Sequence, residues 1–294
     1  RLLPKNLSNG IPKLYYIREI GDISFITKEF RYKRKLIILG GGFIGLEVAS
    51  VARNFGVDVT ILESQERILK RTSAEIVANH IKKIHLLNGV IIKENTNIKK
   101  FLKTKDNSIR ILTNKNEELL ADFMIAGIGA QPNTEIADNA GLLVDNGIVV
   151  DENCRTSDPN IFAAGDCVSF PFNKDLIRLE NVGNAIEQSE AASENVLGKD
   201  IKYQPVPWFW SDQFDIKLQI AGLNKGFTKV FHRQSDQKNS FWYYKDDQLI
   251  SVEAINDPKS YMVGKKLIEM KKTPSSKDIV SNKINLKDML REIK

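Results

Sequence analysis

Cysteine is nearly absent. Cys154 and Cys167 are the only two in 294 residues, too few for a disulfide framework and too far apart for a C-x-x-C metal or redox pair. That argues against secretion and for a reducing cytoplasm. Histidine is equally sparse. His80 and His85 lie five apart on a predicted helix, and with His232 they form no ligand set for zinc, so they read as solvated or half-buried structural residues and no metal is expected. No apolar run approaches the ~20 residues that a membrane helix needs. Internal repeats and low-complexity tracts are also missing. Nor does one sign of charge dominate: 43 basic against 37 acidic side chains leave +6. The lysines are spread over most of the chain, which fits a solvated surface better than a nucleic-acid footprint, although a basic face for an acidic protein partner stays open. What remains is a globular composition, 42% apolar and 27% charged, long enough for two or three domains. The first residue is Arg rather than Met with no signal-peptide pattern behind it, so a processed chain or a piece of something longer is expected.

From Lys35 onward the pattern is α/β. Residues 35–39 form a short apolar run suited to a strand buried on both faces. A glycine cluster follows, then a predicted helix over 44–55 closed by Gly56, a strand over 57–62, a helix over 73–87 and a strand over 90–92. Residues 97–123 read as paired strands with polar turns at Asp106-Asn107 and at 114–116. Further strands are expected over 123–128, 147–151 and 161–165, with a long helix over 184–197. After Pro205 the grammar changes to antiparallel strands at 216–223, 228–233, 241–245 and 249–254. Asp257-Pro258 opens a helix to about Lys271, and Asn285 is placed to cap a last short one. Domain seams are expected near 130 and 205, giving segments 1–130, 131–204 and 205–294.

Gly40-Gly41-Gly42-Phe43-Ile44-Gly45 fits G-x-G-x-x-G at Gly40, Gly42 and Gly45. Alone the pattern is weak. Here it sits between a buried strand and a helix, and Glu63 lies 18 residues past Gly45 at the end of the next strand. In such a dinucleotide turn Gly40 permits the tight bend, Gly42 lets backbone approach a pyrophosphate, and Gly45 allows close helix–strand packing. Unpaired N–H groups at the helix start, from Phe43 and Ile44 onward, hold the phosphates. Glu63, with Ser64 beside it, is placed to accept hydrogen bonds from an adenosine ribose, which favours NADH and disfavours a 2′-phosphate. Arg67 and Arg71 nearby could neutralise such a phosphate or simply be solvated charges. Glu47 is either an ordinary acid at a helix start or the acceptor for a nicotinamide carboxamide.

A second motif lies downstream. Thr156-Ser157-Asp158-Pro159-Asn160-Ile161-Phe162-Ala163-Ala164-Gly165-Asp166 ends a predicted short strand in Gly-Asp, and open α/β sheets bind ligands at such edges. The pairing of G-x-G-x-x-G-x-E with T-x-x-x-x-I-F-A-x-G-D resembles the two-dinucleotide flavoprotein oxidoreductases, the pyridine nucleotide-disulfide oxidoreductase superfamily. Pro207-Trp208-Phe209-Trp210-Ser211-Asp212-Gln213, followed by Leu218-Gln219-Ile220-Ala221-Gly222, resembles the interface domain of FAD-dependent ferredoxin reductases that serve cytochrome P450 and aromatic-ring dioxygenase systems. The resemblance implies a glutathione-reductase-like architecture: a Rossmann-like NAD domain, the second half of a FAD domain, and a C-terminal antiparallel α+β interface domain. It also implies roles. Gly165 and Asp166 would meet the ribityl or phosphate part of FAD. Glu180 would meet the nicotinamide carboxamide from the flavin side, Gly129 and Arg71 would contact the cofactor, and Trp210 would lie beside the isoalloxazine unless it is a core tryptophan. Val182 departs from several relatives, which carry tryptophan there. Residues 1–4 match a point just after a T-G-x-x-x-R turn, so roughly one hundred residues holding the first G-x-G-x-x-G are expected to precede them in the family.

The implied activity is NADH-dependent reduction of a [2Fe–2S] ferredoxin, or of rubredoxin, through FAD. Glu47, Glu180 and Trp210 would stand at the reacting rings. The rivals are a disulfide reductase of the glutathione-reductase type, whose His-Pro-Thr-x-x-Glu signature is missing from the final segment, a rubredoxin or nitrite reductase component, which sequence alone separates poorly, and a non-catalytic NADH-binding module. Neither the acceptor protein nor the oligomeric state follows from the sequence, a homodimer included.

Overall fold

The computed structural model describes residues 2–4, 11–102, 108–281, 286 and 288. It divides into two compact units, Arg1–Ala130 with Ser211–Lys217, and Gln131–Trp210 with Leu218–Lys294. The Asp106-Asn107 turn and the Asn285 cap lie outside the described residues.

The first unit is built on strands β1 (Leu14–Tyr16), β2 (Lys35–Leu39), β3 (Asp58–Leu62) and β4 (Ile91–Lys93), β5 (Ile98–Leu102), β6 (Ile109–Thr113) and β7 (Glu118–Ala121), and β8 (Phe123–Ala126), with helices α1 (Ile20–Glu29), α2 (Phe43–Asn54) and α3 (Glu75–Leu87). Five strands make a parallel sheet in the order β1-β8-β2-β3-β4. Its central strand β2 is buried from Leu36 to Leu39, because both faces of the parallel sheet are covered and leave no solvated side for polar residues. The remaining strands form a small antiparallel sheet, β5-β6-β7. Its Ile109, Ile111 and Ala121 share one apolar cluster with Ile37, Leu39 and Met124 of the large sheet.

In the second unit β9 (Ile148–Val149), β10 (Val168–Phe172) and β11 (Asp175–Ile177) form a small mixed sheet beside α4 (Glu135–Asn139) and α5 (Val182–Val196). The chain then enters a five-stranded sheet of β12 (Trp208–Gln213), β13 (Ile216–Gly222), β14 (Lys229–Ser235), β15 (Lys238–Lys245) and β16 (Gln248–Ile255), ordered β12-β13-β16-β15-β14. Helices α6 (Pro258–Glu269) and α7 (Ser276–Ser281) follow. Asp257 caps α6 by accepting the Ser260 N–H at 3.1 Å, with Pro258 in the first turn. Trp242, Tyr244 and Val252 pack with Leu267 and Ile279, while Phe241 stacks on His232 and Tyr243 meets Phe227. Residues 239–244 are therefore buried without a break.

Several elements depart from the sequence-based expectation. Residues 161–165 are not a strand: they hold a single bridge, Arg155 to Phe162, and the strand of that region is β10, beginning at Val168. Backbone bonds from Thr156 to Ile161 and from Ala163 to Cys154 fold the segment back on itself, and Gly165 at φ +90° breaks any extended run. The expected strand over 147–151 shrinks to two residues. β1, α1, α4, β10, β11, β12 and α7 are additional, α7 opening at Ser276 where a loop is expected.

Gly264 on α6 offers a test of this packing. An added Cβ would lie 2.5 Å from Cγ2 of fully buried Val252. Overpacking of about 1–3 kcal/mol then exceeds the helix-propensity gain of about 1 kcal/mol for Gly→Ala. Gly264→Ala should lower the urea midpoint with an unchanged m-value.

Candidate functional site

The glycine turn joins β2 to α2. Gly40 has φ +101°, and a Cβ there or on Gly45 would overlap a backbone oxygen, of Gly127 and of Gly40 respectively. Gly45 also faces Ile38 Cγ2 at 3.3 Å from such a Cβ, so only a bare backbone lets α2 start this close to the strand. Gly41, the unassigned position of the motif, is equally constrained: a Cβ would fall 2.6 Å from Ile68 Cγ2. Gly42 differs. Nothing lies within 4 Å of where its Cβ would be, and its φ of −81° is open to any residue. Neither packing nor backbone strain requires glycine there, which fits a position approached from outside by a ligand. Phe43 and Ile44 begin α2, Ile44 with its side chain half exposed.

Glu63 stands just past β3 and is buried, yet has no cationic partner among the described residues. Its Oε2 accepts the Gly41 N–H and its Oε1 the Gln65 N–H, both at 2.7 Å, with Ser64 Oγ at 3.2 Å. Charge-assisted bonds from backbone N–H groups satisfy a carboxylate without a salt bridge. Arg67 is occupied by the carbonyls of Ile68 and Ser73. Arg71 comes near Gly129, where an added Cβ would meet its Nη2 at 3.3 Å. Gly40, Gly45, Glu63, Arg71 and Gly129 thus gather at one end of the parallel sheet.

Glu47 lies in the second turn of α2, past the helix start that the plain-acid reading required. Its Oε1 accepts the Ser211 hydroxyl at 2.6 Å. Ser211 Oγ in turn accepts from Gln213 Nε2 at 2.9 Å, and Gln213 Oε1 faces His85 Nε2 at 2.9 Å. Burial pushes the Glu47 carboxyl up, as does Asp212, while the Ser211 bond opposes them. His85 is fully buried, correcting the solvated or half-buried expectation, and sits edge-on to Phe214. Burial lowers its pKa from 6.5 against the raising effect of Gln213.

In the second unit, the Gly165-Asp166 turn, Arg178, Glu180 and the Trp208–Trp210 pair gather around the start of α5. Gly165 donates its N–H to Gln188 Oε1 at 2.8 Å, leaving the Asp166 side chain exposed. Arg178 Nη1 bonds the Asp166 carbonyl at 3.1 Å and also pairs with exposed Glu180, so one guanidinium ties the two together. Asn181 caps α5 through the Asn184 N–H at 2.8 Å. A Cβ on Gly183 would come within 2.5 Å of Trp208 Nε1, which seats that indole on the first turn. Trp210 stacks on Trp208 with centroids 5.6 Å apart and planes at 19°. At 40% exposure Trp210 is not a core residue. Sequence reasoning missed Gly41, Arg178 and Gln188. The unbroken run of glycines around Gly41 and the position of Arg178 two residues before Glu180 were the available signals; Gln188 had none.

Residues 4–193 match the family described as pyridine nucleotide-disulphide oxidoreductase, and residues 208–290 match the reductase C-terminal family. Rhodocoxin reductase of Rhodococcus erythropolis is 37% identical over 93% of this chain and 65% of its own length. For putidaredoxin reductase CamA of Pseudomonas putida the figures are 36%, 86% and 61%. Among solved structures, the covalent putidaredoxin reductase–putidaredoxin complex superposes with a TM-score of 0.94 at 33% identity, over 100% of this chain and 72% of that one. The chain belongs to the pyridine nucleotide-disulphide oxidoreductase family, in its ferredoxin-reductase branch. It spans under two thirds of the length of rhodocoxin reductase and putidaredoxin reductase CamA. Among the described residues, no helix is long and apolar enough to cross a membrane.

His85 makes stability depend on pH. The unfolded chain takes up a proton below its ordinary pKa of 6.5, whereas the folded one resists it. Its contribution is therefore full above pH 6.5 and falls away as the pH drops toward the lower folded value. Urea midpoints of the native protein should decline on acidification more steeply than those of His85→Gln.

Proposed function

We propose that this chain is the NADH-binding and partly flavin-binding portion of a reductase that passes electrons from NADH through FAD to a [2Fe–2S] ferredoxin or rubredoxin in the cytoplasm. One observation carries the reading. The acid of the glycine-turn motif, Glu47, and the serine of the Trp-Phe-Trp-Ser-Asp-Gln segment, Ser211, share a 2.6 Å hydrogen bond, joining the two stretches whose chemistry the reading needs. The segments 1–130, 131–204 and 205–294 are proposed as the nicotinamide, flavin and interface domains.

Both groups fit the residues present. For NADH there is the open space outside Gly42, the helix start whose N–H groups face a pyrophosphate, and the ribose acceptor Glu63. Gly129 and Arg71 border the same sheet end, and Glu47 would take the carboxamide. For FAD there are the exposed Asp166, whose backbone carbonyl accepts from Arg178, the Glu180 carboxylate paired with the same guanidinium, and the partly exposed Trp210. Bound FAD would supply the conversion from a two-electron donor to a one-electron acceptor. The protein's own contribution is binding and orientation. In the first unit Glu47 would accept the carboxamide of NADH; in the second, Glu180 and the Trp210 indole would line the flavin side, the indole as a flat apolar wall. Neither carboxylate has to transfer a proton.

NADH added without oxygen to the flavin-loaded protein should bleach the yellow flavin band and then reduce a [2Fe–2S] ferredoxin but not a disulfide. Reduction of a disulfide, or NADH binding with no bleaching, would overturn the reading. Glu63→Ala should weaken NADH binding by about tenfold or more, the loss expected for hydrogen bonds to a charged acceptor. Calorimetric titration measures it, and an unchanged affinity removes Glu63 from the site.

A further inference from the structure

Ser211, Gln213 and His85 form a one-way chain of hydrogen bonds that ends on Glu47, and counting protons fixes its direction. An ionised carboxylate has no proton to give, so the single Ser211 hydroxyl proton points to Glu47 Oε1, 2.6 Å away. Ser211 Oγ must then accept from its other neighbour, which the Gln213 amide does through Nε2 at 2.9 Å. That turns Gln213 Oε1 toward His85 Nε2 at 2.9 Å, and the imidazole nitrogen must carry a proton. The neutral ring then has a bare Nδ1. His85 Nδ1 is buried with no hydrogen-bond partner, as suits a nitrogen that bears no proton: an orphaned N–H would be the costlier arrangement. Ser211 and Gln213 are themselves buried, at 1% exposure each, so water does not compete for these bonds. Glu47 Oε2 makes no hydrogen bond to any described residue.

We propose that Ser211 is a positioning residue that occupies Glu47 Oε1 and reserves Oε2 as the acceptor for the nicotinamide carboxamide, with Gln213 and the Nε2–H form of His85 holding the serine in register. The inference rests on the NADH reading above. It adds that the carboxamide acceptor on α2 is oriented by a residue of β12. Without the serine, the Glu47 side chain regains rotamers in which neither oxygen is aimed.

Two ligands separate orientation from folding. NADH carries the carboxamide, and ADP-ribose has the same adenosine and pyrophosphate without it. Ser211→Ala should weaken NADH by about tenfold, one charge-assisted hydrogen bond, and leave ADP-ribose unchanged. Ser211→Thr, which keeps the hydroxyl, should restore NADH. Equal loss for both ligands would mark Ser211 as merely structural, and no loss for either would remove it from the site. Each result overturns the proposal while the NADH reading stands. If the unmodified chain binds neither ligand, the NADH reading itself fails and takes this inference with it. Nitrogen-15 NMR of His85 gives a ligand-free check: the Nε2–H tautomer is expected, and an Nδ1–H tautomer would reverse the chain and overturn the proposal.

Discussion

The close seating of α2 on the end of β2 is the constraint from which the first unit follows. A methyl group on Gly45 would overlap the Gly40 carbonyl, and one on Gly40 would overlap the carbonyl of Gly127. With three backbones this near, the first N–H groups of α2 open at the edge of the parallel sheet, where strand ends and helix start converge. The Gly41 N–H is already committed to Glu63. Everything assigned to that end of the sheet depends on this approach: Glu63 at the next strand, Gly129 two residues on from Gly127, and Arg71 against Gly129.

Two carboxylates of this unit are satisfied by dipoles rather than by opposite charge. Glu63 draws on backbone N–H groups, and Glu47 on a hydroxyl that is itself held by an amide. Lone buried carboxylates are expensive, and salt-bridging them would place cations where dipoles suffice. Such dipoles are fixed by the backbone or by packing, so they orient a carboxylate as well as stabilising it. In the second unit the device is different. Arg178 does use charge, linking the Asp166 carbonyl to Glu180 at the mouth of α5, and the Trp208–Trp210 stack leans on Gly183 of the same helix.

The most legible parts of the fold were the strongly periodic ones. The apolar run 35–39, the glycine turn, α2, α3, α5 and the Asp257-Pro258 helix start could be read directly, because each rests on local propensity or capping chemistry. Elements without such signals escaped. β1 has three residues and an intermediate burial throughout, and its strand character comes from lying parallel to β8. The segment 161–165 looks like a strand by composition, yet the chain there bonds back to Cys154 and Thr156. β15 reads as only half a strand because both faces of 239–244 are covered, which erases alternation.

By itself the sequence determined the dinucleotide turn, the acid at the end of the next strand, and the membership that the two motifs in order imply, since these depend on which residues a backbone geometry will tolerate. Tertiary structure alone decided the rest. Glu47 receives its hydrogen bond from a residue 164 positions away, and the buried His85 meets a glutamine 128 positions away. Partners so distant along the chain are selected by packing, and packing is a property of the assembled fold rather than of any stretch within it.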